Sequence, residues 1–205
     1  METRLRLEAV LRQDLAALNR AFIGMMRADY PAGLEEDLRV RLRGLDAAAA
    51  ARLAELPFAL FSFGFDATED WQRLLAAGVR ERRPARAADP GLVSFTVLAL
   101  AFSRQACLAH PSCAATWVGL PRDVGAHLVA LGLGALGDLA PLACLRLRCR
   151  FARQPRVWAS LVEACERDDR ELTRVVCAMG LQWTIRRALG LAADKAAVRH
   201  GFRSG

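Results

Sequence analysis

The two halves of this 205-residue chain carry large apolar residues in the same order. Trp71 closes the pattern in the first half and Trp158 closes it in the second. An internal repeat constrains architecture more than any local motif, so the pattern predicts two helical repeats packed about a pseudo-twofold axis. Leucine spacing also recurs by chance in alanine- and leucine-rich helices, so coincidence is the alternative. The pairs at a constant offset are Leu42 with Leu128, Leu53 with Leu139, Leu56 with Leu142, and Phe65 with Phe151.

A break in the apolar periodicity separates the two copies. Residues 79–90 hold two prolines and a run of charged side chains, a composition typical of a linker. The sequence therefore predicts four parts, which are repeat one at 1–78, the linker at 79–90, repeat two at 91–166, and C-terminal helices with a frayed tail at 167–205.

Helical patterns dominate the first half. Leu11, Leu15, Leu18 and Phe22 form one apolar stripe, which predicts a first helix that ends near Ala28, before a proline. Asp46 stands where its carboxylate can cap a helix over 47–56. Asp66 and Glu69 have the spacing of a capping box, which predicts a helix over 67–77.

The second half is helical as well. Residues 92–109 are apolar nearly all the way round, which predicts a buried, central helix. Prolines 121, 141 and 155 are expected to punctuate short helices. Negative charge favours the amino end of a helix, so the acidic side chains of Asp168, Asp169 and Glu171 predict a helix that starts near Arg170. Gly180 is expected to split the last helical stretch. The fold class is all-α.

Two segments have a strand-like pattern instead. Leu145, Leu147, Cys149 and Phe151 alternate with three arginines, a period of two residues. The matching stretch in the first copy, 58–65, is apolar almost throughout. These segments are expected to lie side by side as a short two-stranded ribbon, which would need the helices beneath it for stability.

Charge distinguishes the halves. The net charge of +7 comes entirely from residues 91–205, since residues 1–90 carry equal numbers of basic and acidic side chains. Five arginines fall within eleven residues, with no carboxylate between them. This candidate basic patch would bind phosphates or an acidic protein surface. Alternatively, the arginines pair with the acidic edge of the first copy or form a solvated face. The patch consists of Arg146, Arg148, Arg150, Arg153 and Arg156.

A second candidate surface lies in the last helical stretch. A helix over 171–179 or 182–189 would carry Arg174, Arg186 and Arg187, and could enter the major groove of DNA.

Enzymatic chemistry has few candidates. The chain lacks phosphate-binding, dinucleotide-binding, nucleophile-elbow and zinc-protease motifs. The six cysteines have no usual zinc spacing and fit buried thiols in a reducing compartment. A metal held by His110 and His127 with Cys107 or Cys113 is a remote alternative. We expect a non-enzymatic protein with no metal or cofactor.

The longest apolar run is about twelve residues and the N-terminus has no signal-peptide pattern, so no membrane span and a cytoplasmic location are expected.

The stretch from Leu98 to Phe151, and especially its part from Trp117 onward, resembles the FlhD family of flagellar transcription-activator subunits in its order of elements. The shared features are an aromatic-x-Gly-Leu turn at 117–120, an apolar helix, a leucine-rich helix over 133–142, and the pair Arg150–Phe151 before a new helix. The resemblance implies an all-helical fold, a dimeric arrangement of the unit, and a non-catalytic role in a transcription-activating complex with a separate DNA-reading partner. The matching positions are core leucines, so no functional residue carries over.

Two function classes follow. The first is a cytoplasmic regulatory or adaptor protein that works through protein contacts, in transcription control of motility or secretion as the resemblance implies. The second is an autonomous DNA-binding regulator that uses the basic second half. An accessory component of a bacterial secretion apparatus would also work through protein contacts. Either a monomer with an internal pseudo-dimer or a homo-oligomer fits the repeat.

Overall fold

The all-α fold class is confirmed by a computed structural model, which describes residues 2–28, 30, 33–76 and 89–188. The predicted linker falls largely on residues 77–88, and the predicted frayed tail on residues 189–205, so both lie outside the described residues. In chain order the elements are α1 (Glu2–Arg27), α2 (Glu36–Gly44), α3 (Ala47–Ala54), β1 (Phe61–Ser62), α4 (Thr68–Ala76), α5 (Pro90–Ala109), α6 (Pro111–Val118), α7 (Arg122–Ala130), α8 (Leu133–Ala143), β2 (Arg148–Cys149), α9 (Pro155–Glu166) and α10 (Arg170–Ala188).

Carboxylates at helix starts set several boundaries. The side chain of Asp46 accepts from the amide of Ala49 at 2.6 Å and caps α3, as predicted. Asp169, directly before α10, acts in the same way, because its carboxylate accepts from the amide of Leu172 at 2.9 Å. Each bond satisfies an amide that the helix leaves without an intrahelical partner.

The first helix packs on the rest through the stripe that the sequence indicates. Its four stripe residues are buried, and α1 rests against α2, α3 and α5. Asn19, one residue after Leu18, is also fully buried. Its amide donates to the carbonyls of Ala54 and Phe58, and its oxygen accepts from the amide of Leu60. This side chain therefore fixes the path of the chain from α3 into β1.

The helix α5 lies at the centre of the fold, in contact with α1, α6, α7 and α8. By length and composition alone it could also cross a bilayer, since it has 20 residues and a mean hydropathy of 1.6. The apolar run of about twelve residues understated this length, because the helix continues past Phe102 through Ser103, whose hydroxyl donates to the carbonyl of Ala99 in the same helix. In the structure 44% of its apolar window is buried inside the protein.

Two expectations about helix breaks were wrong. Gly180 does not split α10, which runs without interruption from Arg170 to Ala188. Gly180 instead packs against Phe151, where an added Cβ would lie 3.2 Å from the ring. Pro141 lies inside α8, within its last turn, and does not end the helix. Packing against Phe151 favours a glycine at position 180. Pro141 removes one intrahelical hydrogen bond from α8, and the helix ends two residues later.

The expected ribbon forms, but it is only two residues long on each side. The strands β1 and β2 are antiparallel, with Phe61 opposite Cys149 and Ser62 opposite Arg148. Leu145 does not belong to the strand, because a 3-10 turn over Cys144–Arg146 precedes it and leaves the Leu145 side chain exposed. The ribbon is therefore one short contact between the two halves of the chain, which also pack together through their helices.

After each strand the chain crosses to the other half. The helix α4 packs on α7, and α9 packs on α2 and α3. Trp71 on α4 and Trp158 on α9 are both fully buried. Each indole donates to the backbone carbonyl eight residues earlier, that of Phe63 and of Arg150 respectively.

Candidate functional site

The five arginines of the candidate basic patch do not share one surface. Arg146 and Arg148 face acidic side chains of the first half, at 3.8 Å from Asp70 and 3.4 Å from Asp66. The alternative of pairing with the acidic edge of the first copy thus holds for these two. Both pairs are partly exposed, so each contributes only about 0–1 kcal/mol.

Arg150 points into the protein. Its side chain is 6% exposed. The guanidinium donates to the carbonyl oxygen of Trp117 at 2.6 Å, to that of Thr116 at 3.0 Å, and to the hydroxyl of Thr184 at 2.7 Å. Burial lowers the pKa of Arg150 to about 9, which leaves the group charged at neutral pH. Placing Arg150 on a surface patch was therefore wrong.

Aromatic rings and a backbone turn explain this inward orientation. The guanidinium carbon lies 5.5 Å from the ring centroid of Phe58 and 5.3 Å from that of Phe151, within reach of a cation–π interaction. Phe151 has a positive φ of 60° and ends the extended run, so the two-residue alternation stops at Cys149. The strand pattern predicted an outward side chain because it assumed that the alternation continues to Phe151.

The remaining two arginines, Arg153 and Arg156, are exposed. Arg153 lies in the turn between β2 and α9, and Arg156 lies in the first turn of α9. Neither has a resolved ion-pair partner in the described part of the chain. They face solvent, as Arg148 does in part.

A cavity of about 190 Å³ opens beside these arginines. Its lining comes from the ends of β1 and β2, the α6–α7 turn, the turn before α9 and the end of α10. Arg148, Arg150 and Arg153 all line it, together with the exposed indole of Trp183. Asp66 is the one carboxylate among the described lining residues, and it already faces Arg148. The cavity therefore combines positive charge with an aromatic wall.

The surface of α10 continues from this cavity. Val175, Met179 and Trp183 follow one another at intervals of four residues, and their exposed fractions are 52%, 48% and 51%. Residues four apart lie on one face of a helix, so the three form a single apolar stripe, called here the α10 stripe. Trp183 belongs to both the stripe and the cavity lining.

The arginines of the candidate DNA-facing helix all belong to α10. Arg174 is exposed, one position before the α10 stripe. Arg186 and Arg187 belong to the last turns of the helix, where the side chains lie outside the described residues. The predicted division into two helices is absent, so the three arginines share one continuous helix.

Sequence reasoning missed the α10 stripe and Thr184. The stripe had a readable signal, since its spacing of four residues is that of a helix face. Treating Gly180 as a helix break concealed it, because the break separated Met179 from Trp183. The role of Thr184 had no local signal, since it depends on a bond to Arg150, which is distant in the chain.

The cysteines are free thiols, and all but Cys113 are buried. Burial raises the pKa of Cys107, Cys165 and Cys177 to about 11 in each case, which keeps these thiols protonated at neutral pH. Among the described residues, no group of three or more metal-ligating side chains lies together.

Comparison with known proteins gives no assignment. No family model matches the chain, and no curated protein or solved structure matches it either.

Proposed function

We propose that this chain is a non-enzymatic regulatory or adaptor protein that binds a protein partner through the α10 stripe. The observation that carries the proposal is the exposure of three large apolar side chains on one helix face. Single exposed apolar residues are common on protein surfaces, whereas a contiguous group costs solvation free energy and is typical of an interaction site. Aromatic and methionine side chains are also enriched where proteins meet.

The position of the α10 stripe on the fold supports its proposed role as a partner-binding surface. The other face of α10 packs on α6 and α9, and Val176 and Cys177 on that face are buried. The helix is therefore held in place before any partner arrives, so binding would not incur the entropy cost of folding a disordered segment. The neighbouring cavity supplies polar groups beside the apolar stripe, as expected for an interface with both affinity and specificity.

We also propose that residues 1–78 and 91–166 are two FlhD-like repeats about a pseudo-twofold axis. The bounds of α2 and α7 differ by a constant 86 residues. Phe61 pairs with Cys149 and Ser62 pairs with Arg148, so a twofold rotation that exchanges the two strands maps one pair onto the other. Gly64 and Phe151, each with a positive φ, and the two tryptophan hydrogen bonds then share an offset of 87, so Phe151 corresponds to Gly64 in the structure and not to Phe65. These matches go beyond leucine spacing and support duplication over coincidence.

The biological setting is a proposal from the FlhD resemblance. It places the chain in the cytoplasm, in transcription control of motility or secretion, with a separate partner that reads DNA. An accessory role in a bacterial secretion apparatus predicts the same α10 surface, and the identity of the partner distinguishes the two.

Direct DNA binding is the second candidate, favoured by the excess positive charge of residues 91–205. It predicts saturable binding that weakens steeply as salt rises, because each neutralised phosphate releases counterions. It also predicts a contact surface of arginines rather than apolar side chains. The composition of the α10 stripe favours the adaptor function.

A pair of measurements tests the proposal. Purified protein is titrated into labelled duplex DNA over a range of salt, and tagged protein is used to recover partners from nuclease-treated native lysate. We expect no saturable DNA binding, and a protein partner that is lost with Met179→Ser and Trp183→Ser. The matched control is Leu133→Ser, which alters a residue 71% exposed on α8. Saturable, salt-sensitive DNA binding with no stripe-dependent partner would contradict the adaptor function.

A further inference from the structure

We propose that the partner of the α10 stripe is an acidic amphipathic segment, one of whose carboxylates enters the cavity lined by Arg148, Arg150 and Arg153. This inference rests on the proposed adaptor function and specifies the chemistry of its partner. Apolar side chains of the segment would contact Val175, Met179 and Trp183, and an aspartate or glutamate next to them would face the arginines.

Arg150 supplies the first argument. A buried charge is normally paired with an opposite charge, because transfer from water to the interior is costly. The oxygens that accept from Arg150 in the described part of the chain belong to two backbone carbonyls and one hydroxyl, all of them neutral. Arg150 is nevertheless one of the residues that line the cavity. An anion in the cavity would place negative charge near a buried cation held by fixed bonds.

The charge balance of the cavity supplies the second argument. Three arginines line it against Asp66 alone among the described lining residues. The Asp66 carboxylate is 3.4 Å from Arg148, so part of its charge is already offset. Arg153 is exposed at the rim and can move toward a ligand. One additional carboxylate would still leave the cavity positive, so an acidic group is the complementary occupant.

Size indicates a side chain rather than a separate small molecule. Pockets that enclose drug-sized ligands usually have volumes of roughly 300–1,000 Å³. The cavity volume of about 190 Å³ is smaller. A carboxylate side chain would occupy it while the rest of the segment stays on the surface. Trp183 links the cavity to the α10 stripe, so the acidic residue must lie close to the apolar residues in the partner.

Other occupants fit less well. Residues 189–205 of the chain itself carry Lys195, Arg199 and Arg203 against one carboxylate, Asp194, so their charge does not complement the cavity. A second copy would bring a molecule of net charge +7 toward the same arginines. Nucleic acid would satisfy the arginines and leave the apolar stripe in contact with a charged backbone.

A selection from a random peptide library displayed on phage tests the proposal on the full chain. Enriched peptides are synthesised, and their affinities are measured for wild type, for Arg148→Gln with Arg153→Gln, for Trp183→Ala, and for the control Arg20→Gln on α1. Arg150 is left unchanged because its bonds hold α6 and α10. Binding is followed by the fluorescence anisotropy of the labelled peptide, because this signal is available for every variant, including Trp183→Ala.

We expect enriched peptides that carry aspartate or glutamate beside leucine, phenylalanine or methionine. Their affinity should fall about tenfold or more with the double arginine variant and with Trp183→Ala, and stay unchanged with Arg20→Gln. Apolar peptides without acidic residues, bound equally by the arginine variant, would overturn the acidic partner and leave the adaptor function standing. Failure to enrich any peptide sensitive to Trp183→Ala, or binding only by nucleic acid or a second copy, would overturn both.

Discussion

The segment that links β1 to α4 and the segment that links β2 to α9 share a backbone plan and differ in chemistry. In both, a residue with positive φ ends the strand, and a buried indole bonds to the carbonyl eight residues before it. The first segment has the phenyl ring of Phe63 next to this turn. The second has the guanidinium of Arg150 at the same place relative to its tryptophan, and both side chains are buried.

The difference between Phe63 and Arg150 indicates which features the turn needs in order to fold. The first segment closes the turn with aromatic rings in contact with one another, Phe63 with Phe61 and with Phe65. A charge is therefore unnecessary for the turn, and burying one costs desolvation free energy. The second segment bears that cost and supplies five residues of the cavity lining, to which the first segment adds Asp66. The comparison supports a binding role for the second segment and a structural role for the first.

The largest expected effect on stability comes from the two buried tryptophans, which the two segments have in common. Trp71→Ala and Trp158→Ala should each lower the free energy of unfolding by roughly 3–5 kcal/mol, since each removes a fully buried indole and its hydrogen bond. Chemical denaturation of both variants measures the effect. A severe loss from one variant and a small loss from the other would break the correspondence between the segments.

Arg150→Met sharpens the contrast. The variant removes a buried charge, but it takes the donor from the Thr116 carbonyl, at about 1–3 kcal/mol for an unsatisfied group, whereas the Trp117 carbonyl keeps the amide of Ala59. Relief of desolvation offsets part of this, so we expect a net loss of about 2 kcal/mol in denaturation. Phe63→Leu is the matched change in the first segment and should cost about 1–2 kcal/mol through lost packing. A stabilised Arg150→Met protein would show that the guanidinium has no structural role.

The turn glycine gives a smaller effect. Gly64 has a φ of +65°, and an added Cβ would lie 2.6 Å from a guanidinium nitrogen of Arg148. Gly64→Ala should therefore cost about 1–2 kcal/mol from backbone conformation, plus the displacement of Arg148. In an Arg148→Ala background only the conformational part should remain. Equal costs in the two backgrounds, measured by a double-mutant cycle, would show that the side chains do not interact.

The ion pairs between the halves give the smallest effect. Asp66→Asn and Asp70→Asn should each change stability by less than about 1 kcal/mol, because the pairs are long and partly exposed. Raising the salt concentration should reduce even this difference. A loss of several kcal/mol in thermal or chemical unfolding would make these pairs part of the structural frame rather than the rim of a binding site.

Features set by neighbouring residues could be predicted from the sequence. The caps at Asp46 and Asp169 and the stripe on α1 are of this kind, since each depends on contacts within one or two helical turns. The fold class and the ribbon followed from the same local periodicities. The continuity of α10 did not, because Gly180 looks like a break until Phe151 is seen to fill the space beside it.

The candidate site was harder to predict than the fold. Arg150 appears equivalent to its neighbours in a pattern of alternating arginines, and only its partners at positions 116, 117 and 184 reveal that it is buried. Those partners are more than thirty residues away. The cavity likewise draws on both halves of the chain, so no local window of the sequence contains it.

Site-specific photo-crosslinking in the cells that make the protein tests the central claim most directly. A photoreactive phenylalanine replaces Met179 on the α10 stripe or, as a control, Val40 on α2, which is similarly exposed. The account predicts a crosslink from position 179 to a protein segment rich in acidic and apolar residues, weakened by Arg148→Gln with Arg153→Gln, and none of comparable strength from position 40. Crosslinking to nucleic acid, or no product from position 179, would contradict it.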